Sequence, residues 1–152
     1  MTYDIREKVL APQLALTHRM RVTMPTIAER IGAGFGVLMG HAAKTGAQWA
    51  GPPFILYPEM CEDEYEIVLC MPVVPGATGG EGVGLEEIPG GRAATTMHVG
   101  PYREVGKAYA ALQTWMTDSG CHPGGAPREV YLNDPGDVPE DELLTEIDWP
   151  IV

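Results

Sequence analysis

Gly51-Pro52-Pro53-Phe54-Ile55-Leu56-Tyr57 is echoed 74 positions later by Gly125-Ala126-Pro127-Arg128-Glu129-Val130-Tyr131, and this echo decides how the fold is read. The same offset lays Ile31 on Val105, Gly32 on Gly106, Phe35 on Tyr109, Leu38 on Leu112 and Gly46 on Gly120. Past the paired tyrosines the second copy runs six residues longer, after which Glu66-Ile67 meets Glu146-Ile147. Each copy therefore reads as strand, helix, glycine stop, strand ending in tyrosine, acidic turn, and strand carrying Glu-Ile. A period this long does not describe a solenoid. It describes a single α+β domain spanning residues 1–152, made of two pseudo-twofold β-α-β-β repeats. Repeat one covers about residues 13–74, a linker about 75–84, and repeat two about 91–152. Each helix would bury its apolar stripe against one face of a shared antiparallel sheet, leaving the other face for a ligand groove at the twofold axis.

Local signals support this division. Strands are expected over residues 4–10 and 13–22, separated by Ala11-Pro12. Leu14, Leu16, His18 and Met20 alternate with Ala15, Thr17 and Arg19 at strand spacing. A helix is expected over residues 25–45, where Ile27, Ile31, Phe35, Leu38 and Ala42 recur at helical spacing and Gly46 supplies the stop. Gly32, Gly34, Gly36 and Gly40 are costly inside a helix, at up to about 1 kcal/mol each against alanine, and are expected to permit close packing on the sheet. Their spacing is not that of a phosphate-binding loop. Strands are expected over 54–57 and 65–73, joined through an acidic hairpin of Glu59, Glu62, Asp63 and Glu64. Further strands are expected over 83–88 and 92–99, a second helix over 101–119 ending at Gly120, and closing strands over 128–133 and 143–151.

Composition narrows the function. The net charge of −11 repels phosphate, so direct nucleic-acid binding is not expected, whereas cationic ligands are attracted. Cys61, Cys70 and Cys121 form neither a disulfide framework nor a zinc knuckle, which fits a reducing cytoplasm. The N-terminal residues show no secretory signal, and no apolar run is long enough to span a membrane. His18, His41, His98 and His122 are scattered, so neither a metal nor another cofactor is expected. There is no G-x-S-x-G nucleophile elbow.

Arg128-Glu129-Val130-Tyr131-Leu132-Asn133-Asp134-Pro135, followed by Leu144-Thr145-Glu146-Ile147-Asp148-Trp149-Pro150-Ile151, resembles the C-terminal signature of GyrI-like domains, also called AraC-type effector-binding domains. Met97-His98-Val99-Gly100-Pro101-Tyr102, leading into the second helix, resembles the matching family segment. The resemblance implies two β-α-β-β units and a central cleft for amphipathic, often cationic, small molecules. It implies a glutamate on the last strand and several aromatics lining that cleft, and the position matching that glutamate is Glu146. Some family members carry helix-turn-helix domains and regulate transcription. Others stand alone, and some of these resemble hydrolases that open cyclopropane rings of DNA-alkylating compounds. This sequence shows no helix-turn-helix and no basic region.

Glu146 is accordingly the leading site residue, since a mid-strand carboxylate is expensive to bury unpaired. In an aromatic setting it would recognise an organic cation; facing solvent, it would be an ordinary strand carboxylate. Glu66 is its repeat mate. Tyr57 and Tyr131 hold matching positions and read as cleft residues or as packed strand aromatics. Tyr109 lies on its helix stripe and Trp149 follows the Glu146 motif; both count among the expected cleft residues. Strand alternation nevertheless puts Glu146 and Asp148 on one face and Trp149 on the other. Met20 and Met39 would supply a plastic lining.

Three functions are compatible with this set. The first is a stand-alone binding module for hydrophobic or cationic small molecules. The second is a hydrolase that adds water to a strained-ring compound, with Glu146 as general base and Tyr131 as proton donor. The third is a protein partner role, in which the acidic surface docks a basic protein; the resemblance permits inhibition of gyrase.

Overall fold

The computed structural model describes residues 3–58 and 63–152. Glu59 and Glu62 of the expected acidic hairpin, together with Cys61, lie outside the described residues. The chain is α+β, with strands β1 (Arg6–Leu10), β2 (Gln13–Val22), β3 (Phe54–Leu56), β4 (Tyr65–Pro72), β5 (Gly84–Ile88), β6 (Gly91–Val99), β7 (Arg128–Tyr131) and β8 (Leu144–Pro150). The helices are α1 (Ile27–Thr45) and α2 (Gly106–Ser119). Both helices stop where the sequence places a glycine, Gly46 at φ 76° and Gly120 at φ 72°, a left-handed conformation that glycine adopts without steric cost. The second helix begins later than its periodicity suggests: Tyr102–Glu104 forms a 3-10 turn before α2 starts at Gly106.

The chain forms two compact units, Pro12–Pro89 and β1 together with Gly90–Val152. In the Pro12–Pro89 unit the antiparallel strand order is β5-β2-β4-β3; in the other it is β1-β6-β8-β7. The two orders are equivalent. Each β-α-β-β repeat supplies three strands, and each unit takes a fourth from outside its repeat. For repeat one this is β5, which follows it; for repeat two it is β1, which precedes it. Repetition alone therefore does not define the sheets, because each edge strand lies outside the repeated pattern.

In the Pro12–Pro89 unit, α1 buries Gly34, Leu38 and Ala42, and the sheet beneath contributes Leu16, Met20, Ile67 and Leu69. In the other unit, Ala108, Leu112 and Met116 of α2 pack with Ala94, Ile147, Trp149 and Ile151. Each large aliphatic side chain so buried contributes about 1.5–3 kcal/mol relative to exposure.

The glycines of α1 behave differently from expectation. A Cβ on Gly34 would come within 2.5 Å of Met20 Cε and 2.6 Å of Leu69 Cδ2, so this glycine does permit close approach to the sheet. A Cβ on Gly32, Gly36 or Gly40 would meet nothing within 4 Å. The reason is rotational: at 100° per residue, these three positions lie on the side of the helix opposite Gly34, Leu38 and Ala42.

This geometry separates two substitutions. Gly34→Val should lower unfolding free energy by about 1–3 kcal/mol through overpacking. Gly36→Ala should raise it by up to about 1 kcal/mol through helix propensity. Urea unfolding at low protein concentration measures both, and equal effects would contradict the assigned helix face.

Candidate functional site

Two acidic constellations stand on opposite faces of the β1-β6-β8-β7 sheet. Strand alternation creates them. Ile147 and Trp149 point toward α2, so Glu146 and Asp148 point away from it. Lys8, reached from β1, places Nζ 3.0 Å from Glu146 Oε2. Asp148 is only 2% exposed and accepts a 2.6 Å hydrogen bond from Thr95 Oγ1. Its carboxyl is pushed up to about 6, first by burial and next by its hydrogen bond with Glu146, while Thr95 and Lys8 oppose the rise. Glu146 is therefore bound into a local charge network with Lys8 and Asp148.

The second constellation centres on Glu129. It is 8% exposed on β7, whose register pairs Glu129 with Ile147 and Tyr131 with Thr145, so both side chains share the sheet face that carries α2. Tyr109 arrives from the α2 stripe, and its hydroxyl donates to Glu129 Oε2 at 2.8 Å. Tyr131 donates to the other oxygen, Oε1, at 3.2 Å. Phenol hydroxyls donate and carboxyl oxygens accept, so the two contacts are complementary. The rings extend outward from this pair: Tyr102 meets Tyr131 edge-on at 5.5 Å, and Tyr109 meets Trp149 edge-on at 5.5 Å. Tyr102 also lines a cavity of about 300 Å³ with Arg103, Pro135, Glu140 and Leu143. Burial raises the Tyr102 hydroxyl pKa, and the charges of Asp134 and Glu129 add to the rise, so this phenol remains a donor at neutral pH. Thr145, opposite Tyr131, is fully buried, and its hydroxyl has no hydrogen-bond partner among the described residues.

The expected site residues are thus distributed rather than gathered. Tyr109, Tyr131 and Trp149 join the Glu129 constellation, with Trp149 forming part of the packed core beneath α2. Glu146 stands on the opposite sheet face. Glu66, in the Pro12–Pro89 unit, lies 3.6 Å from Arg19, which also pairs with Glu86 at 2.7 Å. Met20 is buried under α1, Met39 is 55% exposed on it, and Tyr57 follows β3 half-buried. Sequence reasoning passed over Glu129, although its signal was present: it lies two residues from Tyr131, hence on the same strand face. Among the described residues no group of three or more metal-ligating side chains converges, and no helix is long and apolar enough to cross a membrane.

Comparison with known proteins adds a family and a fold. The family model described as the GyrI-like small molecule binding domain matches residues 3–152. The crystal structure of the EcmrR C-terminal domain superposes with a TM-score of 0.89 at 24% identity, covering 100% of this chain and 99% of that one. A hydrolase from Listeria innocua superposes at 0.70 with 14% identity, covering 97% of this chain and 91% of that one. SAV2435, solved bound to tetraphenylphosphonium, superposes at 0.63 with 14% identity, covering 100% and 94%. No curated protein matches the chain in sequence.

The Asp148 network sets a pH dependence. Its folded pKa of about 6 lies above the ordinary value of 3.8, so the folded state holds this proton more tightly than the unfolded chain does. The resulting stabilisation is complete below about pH 4 and is lost as pH rises through 6, with a total on the order of 3 kcal/mol. Asp148→Asn retains an acceptor for Thr95 and removes the titration. The stability difference between wild type and variant should therefore shift toward the variant between pH 4 and pH 7 in chemical denaturation. A flat difference would remove Asp148 as its source.

Proposed function

Because the chain belongs to the GyrI-like family of small-molecule-binding domains, we propose that it binds amphipathic organic cations, with Glu129 as the anionic anchor and Tyr102, Tyr109 and Tyr131 as aromatic contacts. The observation that carries this reading is a nearly buried carboxylate held by two phenol hydroxyls within a set of edge-on aromatic rings. A desolvated carboxylate attracts a cation more strongly than one in water. The faces of the surrounding rings add cation-π attraction of about 0.5–2 kcal/mol each. Glu129 is preferred to Glu146 as the anchor because the aromatic rings gather around Glu129, whereas Glu146 stands on the opposite sheet face beside Lys8 and Asp148. SAV2435, of the same fold, was solved with a lipophilic phosphonium cation, which makes that compound a sensible first probe.

The Glu129–Tyr131 contact also supports a second reading, hydrolysis of a strained electrophile such as a cyclopropane or an epoxide. Glu129 would take a proton from water as the water oxygen bonds to a ring carbon. The ring bond would break with its electron pair going to the departing atom, which takes the Tyr131 proton, and the proton on Glu129 would then return to the Tyr131 phenolate.

Calorimetric titration with tetraphenylphosphonium and with neutral triphenylphosphine oxide distinguishes charge recognition from shape. Glu129→Gln should weaken the phosphonium by about tenfold, roughly 1.4 kcal/mol, and change the neutral compound by less than about twofold. Equal loss for both would remove charge from recognition. For the hydrolytic reading, mass spectrometry of an electrophile incubated with the protein should find one added water, and Glu129→Gln should abolish that product.

A further inference from the structure

Residues 31–43 of α1 contain no charged side chain, although many of their positions are exposed. The buried line of Gly34, Leu38 and Ala42 leaves Glu29, Ala33, Gly36, Gly40 and Ala43 directed away from the sheet. Val37 and Met39 flank this line at 43% and 55% exposure. By contrast, the exposed positions of α2 include Lys107, Gln113, Thr114, Thr117 and Asp118. A surface helix ordinarily turns charged residues to water, and a contiguous apolar face marks a contact. Among the described residues, no neighbour accounts for the glycines here. Neither Gly36 nor Gly40 has positive φ, and a Cβ on either would meet open space.

The ends of this face carry opposite charges: Glu29 in the first turn and Lys44 in the last. We propose that the face pairs with the same face of a second copy, antiparallel, about a twofold axis between Gly36 and Val37. In that register Glu29 lies against Lys44 of the other copy at both ends, Ala33 lies against Gly40, and Gly36 lies against Val37. A parallel arrangement would instead oppose like charges. Such exposed pairs contribute little energy, but they select direction. Small residues along the centre let two helices approach to the short end of the 8–10 Å range. The contact is isologous, so it closes at two copies. One helix pair, each helix about 28 Å long, buries less than the roughly 800 Å² per partner of a standard interface, which sets the expected dissociation constant in the micromolar range. A lipid surface fits less well, because the face lacks the cluster of basic residues that anionic membranes select.

Sedimentation velocity of the full chain from about 1 to about 300 µM tests this, since micromolar dissociation constants fall within that span. The wild type should pass from monomer to dimer. Gly36→Glu places two like charges at the axis while its side chain enters open space, so it should keep the wild-type circular dichroism and remain monomeric throughout. Gly40→Glu serves as the second disrupting variant. Glu29→Lys and Lys44→Glu should each weaken the dimer at least fivefold, and the double exchange should recover it. A wild type that stays monomeric overturns the proposal, as does a folded Gly36→Glu chain that dimerises normally. Failure of the double exchange to recover overturns the antiparallel register. A monomeric wild type that floats with phosphatidylcholine–phosphatidylglycerol vesicles would give the face to a membrane instead and would also overturn it.

Discussion

Leu112 and Met116 of α2 lie in one core with Ala94, Ile147 and Trp149, and this burial constrains everything else in that unit. Once Ile147 and Trp149 turn toward the helix, the two-residue period of a strand sends Glu146 and Asp148 to the other face. The same period, carried across the ladder to β7, brings Glu129 and Tyr131 to the helix side. The α2 stripe that buries Leu112 also delivers Tyr109 to Glu129. Hydrophobic burial thus positions the polar chemistry without contacting a ligand.

The two faces of one sheet treat acidic groups in opposite ways. On the face away from α2, Asp148 is buried next to Glu146, and the two carboxylates with Lys8 and Thr95 form a network that holds a proton near pH 6. On the helix face, two phenols meet the oxygens of Glu129.

Much of the fold was legible in advance because it rests on local periodicity. The glycine stops at Gly46 and Gly120, the stripe through Leu38 and Ala42, and the strand carrying Glu146 all lie where spacing places them. The errors arose where a local signal admits more than one direction. A glycine marks conformational freedom or close approach equally, so Gly34 could not be told from Gly36 until the helix face was known. The start of α2 was also displaced, because Pro101 suits a 3-10 turn as well as an α-helical one.

By itself the sequence determined the repeating β-α-β-β order, the apolar stripes and the face that each strand residue shares with its neighbours two positions away. These follow from bond geometry and short-range sterics. Tertiary structure decided which edge strand completes each sheet, since β1 and β5 lie outside the repeat and pair through ladders that no local pattern announces. It also decided which carboxylates meet which partners: Lys8 reaches Glu146 across 138 positions of chain, and Tyr109 reaches Glu129 across 20. Contacts between such distant residues depend on the register of the ladder and the seating of the helix, both set by burial of the whole core at once.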